Sequence, residues 1–132
     1  MPRALALLLF LAACDPGVSE RLTVSLPVFL APDSSRTAAL GIADRIARRH
    51  QLRTDAVGDC ATAYTTYYNR DPRLGWNDNV SLVLCITSPN AGSLQFQVSE
   101  SFTTHWGARG DSVREELRDS LRALLGSKAV KG

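Results

Sequence analysis

Val80-Ser81-Leu82-Val83-Leu84-Cys85-Ile86-Thr87 is the most apolar strand-like stretch of the chain, and its reading decides the fold. It is short, rich in branched residues and closed by the turn formers Ser88-Pro89-Asn90-Ala91-Gly92, which favours a strand over a helix. Upstream, residues 60–70 are dense in Thr and Tyr and read as a second strand, joined through the turn-rich connection 69–78 that contains Trp76. Downstream, Leu94, Phe96, Val98 and Phe102 alternate with Gln95, Gln97 and Ser99, the period of a half-buried strand. Leu22, Val24, Leu26, Val28 and Leu30 alternate in the same way earlier in the chain, with Pro27 suiting an edge position.

Two helices complete the pattern. From Asp33, a fair N-cap, to about His50 the apolar stripe is Ala39, Ile42, Ala43 and Ile46. A second helix opens at Asp111 or Ser112 and shows Val113, Leu117, Leu121, Leu124 and Leu125 on one face. The order β-α-β-β-β-α predicts an α+β two-layer sandwich, with a four-stranded, mainly antiparallel sheet and both helices on one face.

The chain has 132 residues, 45% of them hydrophobic and 21% charged, which suits a single globular domain. A net charge of +2 is too small to argue for nucleic acid. Arg45, Arg48, Arg49, His50 and Arg53 form the nearest thing to a basic cluster. They fall where cations complement a helix C-terminus, an anion or lipid-headgroup site being the other reading.

At the start, Arg3 precedes an apolar run that ends in Leu11-Ala12-Ala13-Cys14, the order of a secretory signal. The run is shorter than the roughly 20 residues that span a bilayer as a helix. Its end resembles the lipobox of bacterial lipoproteins. That resemblance implies a signal peptide over 1–13, diacylglycerol on Cys14, cleavage before it and acylation of the new amino group. Two or more acyl chains hold a protein stably on a membrane. The expected localisation is the cell envelope with the domain in the periplasm. Asp15 after the cysteine favours inner-membrane retention in that family, with the outer membrane left open. Residues 14–20 are expected to be a lipidated tether, 21–126 the domain and 127–132 a tail.

If Cys14 carries lipid, Cys60 and Cys85 remain as an even pair in an oxidising compartment, where a disulfide is expected. Placing Cys60 opposite Cys85 in an antiparallel hairpin puts Ala61, Ala63 and Thr65 on the buried face. It puts Thr62, Tyr64, Thr66 and Tyr68 on the open one, with a Cys60 just ahead of the strand easing the geometry.

No sequence motif for catalysis, metal or cofactor stands out. His50 and His105 do not sit at ligand spacings. Asp55 with Asp59, and Asp71 with Asp78, read as turn carboxylates, and no glycine cluster leads into a helix as a phosphate loop would. No cofactor and no metal is therefore expected. The expected partner-binding face is the open side of the sheet, with Tyr64, Tyr68, Gln95 and Gln97 at its centre, because tyrosine is enriched at interfaces. Its uncharged amides and hydroxyls suit a glycan or a protein strand. The element order resembles small envelope-assembly lipoproteins such as the lipopolysaccharide-assembly lipoprotein, an analogy of fold. The expected function is non-enzymatic binding or scaffolding of an envelope partner, protein or glycan. The alternative is a periplasmic hydrolase using His105.

Overall fold

A computed structural model describes residues 17–26, 32–69, 79–101 and 105–132. Cys14 and the lipobox, Pro27, Trp76, Phe102 and the 70–78 connection lie outside the described residues. The chain is α+β, with two helices and a six-stranded antiparallel sheet. In chain order the elements are β1 (Gly17–Ser25), α1 (Pro32–Arg49), β2 (Arg53–Thr54), β3 (Thr62–Asn69), β4 (Asn79–Asn90), β5 (Ser93–Ser101), α2 (Ala108–Leu125) and β6 (Val130–Lys131).

The sheet runs β2-β3-β4-β5-β1-β6, so four strands become six at the two edges. Arg53 and Thr54 pair with Thr65 and Tyr64 at one side. At the other, Val130 and Lys131, expected in a tail, pair with Val24 and Thr23. Gly17, Val18, Ser19 and Glu20, expected in the tether, instead pair with β5 from Ser101 to Val98.

The core forms on one side of the sheet. Leu82, Leu84 and Ile86 of β4, Leu94, Phe96 and Val98 of β5, and Leu22 and Val24 of β1 are buried together. Ala39, Ile42, Ala43, Ile46 and Ala47 of α1 and Val113, Leu117 and Leu121 of α2 join the same cluster. Leu124, expected on the apolar face of α2, is instead 45% exposed.

Local chemistry sets the joints. The β4–β5 hairpin absorbs an irregularity between Thr87 and Asn90, where Pro89, which has no N–H to donate, is tolerated. The Asn90 side chain accepts hydrogen bonds from Gly92 N–H at 2.9 Å and Ser93 Oγ at 3.1 Å, closing the turn. Helix α1 ends with Gln51 N–H on the Arg48 carbonyl and Leu52 N–H on the Ala47 carbonyl, the Schellman pattern. That closure needs a left-handed residue, and Gln51 supplies it with φ of 63°.

At the start of α2, Gly107 N–H donates to the carboxylate of Glu100 at 3.2 Å. Glu100 is fully buried, and a carboxylate there complements the positive helix N-terminus. Gly110 is required beside it, since any Cβ would collide with that carboxylate and with Trp106.

The expected disulfide is present between Cys60 and Cys85, with Cα atoms 5.5 Å apart. The hairpin register differs from the expectation. Ala63 lies opposite Cys85, Tyr64 opposite Leu84 and Tyr68 opposite Val80, while Cys60 sits ahead of the strand. A displacement of three residues is odd, so every β3 side chain changes face. Tyr64 is 8% exposed within the core cluster, and Tyr68 packs against that cluster. Neither tyrosine lies on the open face; Tyr67 does, alternating with them.

Candidate functional site

The open side of the sheet presents Ser19 and Thr23 of β1, Gln95, Gln97 and Ser99 of β5, and Ser81 and Thr87 of β4. Gln95 and Gln97 are therefore on the expected face. Arg21 reaches Gln97 Oε1 at 3.4 Å, and Gln97 Nε2 reaches Ser19 Oγ at 3.4 Å, so this half of the face is laced across strands.

The groups that converge lie at the β2–β3 edge instead. There an open groove of about 920 Å³ is lined by Arg48, Gln51, Arg53, Asp55, Thr65, Thr66, Tyr67 and Arg109, among others. Arg48 comes from the last turn of α1 and is held at 2.8 Å by Asp44 one turn earlier. Arg109 comes from the first turn of α2. It donates to the His50 carbonyl and lies 5.2 Å over the Tyr68 ring, a cation–π arrangement. Arg53 is exposed on β2. Asp55 is already engaged, accepting from Ala56 N–H at 2.8 Å and Thr65 Oγ1 at 3.3 Å. Tyr67 stands at the rim, 76% exposed.

Tyr64 supports the groove from below. Its hydroxyl donates to Asp44 Oδ1 at 3.2 Å. Burial first, and then the Asp44 charge, push its phenol above the ordinary value. Asp44 thereby ties α1 and β3 to the position of Arg48.

A second, shallower cleft of about 460 Å³ lies between the helices, lined by Arg49, His50, Ser112, Glu116 and Ser120 among others. Arg49 and His50 Nε2 both bond the Glu116 carboxylate. Burial pushes the Glu116 carboxyl up, but the hydrogen bond and charge of His50, with Arg49, outweigh it and hold it below the ordinary value. The histidine with this carboxylate partner is thus His50; His105 is exposed in the bend before α2.

Among the described residues, no group of three or more His, Cys, Asp or Glu is placed to hold a metal ion. No helix among them is long and apolar enough to cross a membrane.

Sequence reading grouped Arg48 and Arg53 in a basic cluster, with an anion site as one reading, but did not bring Arg109 or Tyr67 to them, because these lie on other elements. One signal was available: Tyr67 and Tyr68 are consecutive, and in any strand register consecutive residues put one ring on each face.

No family model matches this chain, and no curated protein matches it.

Proposed function

We propose that this chain is a small lipid-anchored protein of the bacterial cell envelope that binds a partner and catalyses no reaction. Its docking site is the groove at the β2–β3 edge together with the adjoining open sheet face. The anchor reading rests on Leu11-Ala12-Ala13-Cys14, with Cys14 lipidated and Asp15 favouring the inner membrane. The observation that carries the binding reading is Tyr67, a large aromatic ring left 76% exposed beside a groove that holds Arg48, Arg53 and Arg109. Solvent-facing tyrosine and arginine together are the residue types that dominate interface energetics.

The test places a photo-activatable phenylalanine derivative at position 67 in cells, with the same group at Leu124, on α2, as a control. A discrete adduct formed from position 67 and absent from position 124 supports docking at the groove. Equal labelling from both sites, or none from position 67, counts against it.

A further inference from the structure

We propose that the β2–β3 edge takes up an extended acidic peptide as an added strand in the lane where β2 stops. The inference rests on the reading of this groove as a docking site and names the class of partner. Strand β2 is only two residues long, pairing Arg53 with Thr65 and Thr54 with Tyr64, whereas β3 continues to Asn69. Asp55 N–H donates to the Ala63 carbonyl at 3.0 Å. In an antiparallel ladder hydrogen-bonded pairs recur at every second residue. The N–H and C=O groups of Ala63, Thr65 and Tyr67 therefore all point into the lane of β2.

Opposite Tyr67 the lane would require residue 51 as a strand position. Gln51 instead takes φ of 63° and turns the chain into the helix, so the lane ends there. The open space beside it is the groove described above, bordered by Thr65, Thr66 and Tyr67 of β3. Unpaired strand edges recruit extended peptides through main-chain hydrogen bonds, with side-chain pockets adding selectivity.

The side chains define what fits. A residue paired with Tyr67 shares its face, so a branched or apolar side chain there packs against the exposed ring. The place opposite Thr66 is held by the buried Leu52, so the free neighbour is the residue opposite Tyr68, which points to the other face, toward α1 and α2, where Arg48 and Arg109 line the groove. Arg53, opposite Thr65, adds a third cation on the same face as Tyr67, so the groove's three arginines outnumber Asp55 and the Asp44 carboxylate that holds Arg48. A strand that alternates carboxylates with branched residues matches both sides at once. Charge alone suits an anionic glycan as well, but a glycan leaves the Tyr67 main-chain groups without partners, and that favours the peptide.

The experiment measures fluorescence anisotropy of a short labelled peptide alternating glutamate with valine, titrated with the full-length chain in detergent. Saturable binding is expected, weakening at least about tenfold with Arg48→Glu, a side chain that is 79% exposed, and weakening further as salt screens the exposed charges. Two further peptides carry N-methyl groups on alternate residues. One methylated set should abolish binding and the other should leave it intact, because only every second N–H of an added strand faces β3. This readout leaves the protein unaltered and so cannot be confused with misfolding.

Equal binding of both methylated peptides overturns strand addition. Tight binding of a uronic-acid oligosaccharide without binding of the glutamate–valine peptide overturns the peptide in favour of a glycan. If the peptide fails while position 67 still forms its adduct in cells, the docking reading survives and this inference does not. If the adduct fails as well, both fall.

Discussion

Tyr64 and Tyr67 differ by three positions and have opposite environments. Tyr64 lies in the core with its hydroxyl on Asp44; Tyr67 is 76% exposed. Tyr64→Ser should therefore cost roughly 3–5 kcal/mol, the range for emptying a buried aromatic site, whereas Tyr67→Ser should stay within about 0.5 kcal/mol. Denaturant unfolding of the two single variants measures both, and similar costs would mean the register of β3 is misplaced. Glu116 carries a second residue-scale consequence. Its carboxyl is held below the ordinary value once His50 and Arg49 outweigh burial. A depressed carboxylate contributes stability that is complete above its unfolded pKa and lost as pH falls through the folded one. The acid limb of the stability profile should thus steepen below about pH 4.5 in the native chain, and Glu116→Gln should flatten that limb. Thermal unfolding between neutral and acid pH checks it; an unchanged acid limb in the variant would remove Glu116 from the account.

At the scale of elements, the disulfide fastens the segment leading into β3 onto β4. Cys60 lies ahead of β3, and Cys85 sits on the open side of β4, paired across the sheet with Ala63 and Gln97. The bridge spans 25 residues, and closing such a loop stabilises by roughly 3 kcal/mol in the chain-entropy model. The paired substitution Cys60→Ala with Cys85→Ala should lower stability by about that amount while leaving the secondary structure in place, as seen by circular dichroism and urea unfolding. The pairing itself was legible from cysteine arithmetic, because Cys60 and Cys85 remain as a pair if Cys14 carries lipid. The register was not. Cys60 opposite Cys85 looked consistent with apolar alternation because both faces of residues 62–68 carry small or hydroxylated residues. Ala63, Thr65, Thr66 and Thr62 do not distinguish inside from outside. Only Tyr64 against Leu84 and Tyr68 against Val80, packed under α1 and α2, break that symmetry.

For the whole molecule, the proposed anchor at Cys14 lies close in sequence to the domain. Strand β1 starts at Gly17, three positions after Cys14, so a lipidated Cys14 would hold the sheet near the bilayer surface. Cys14→Ser should abolish fatty-acid labelling and release the protein from membranes on fractionation; equal labelling of both forms would reject the anchor. The amino-acid pattern alone determined the α+β class, both amphipathic helices, the four central strands and the disulfide partners. Each of these follows from local periodicity, turn chemistry or a count of cysteines. The tertiary structure alone decided the two edge strands, since Arg53–Thr54 and Val130–Lys131 are too short to carry a period and exist only by pairing with β3 and β1. It also decided which tyrosine is outside, because a strand with mixed polarity on both faces takes its register from what packs on it. And it alone brought Arg109 and Tyr67 to the basic stretch that holds Arg48 and Arg53, for a groove built from the end of one helix, the start of another and a sheet edge is not contained in any single stretch of sequence.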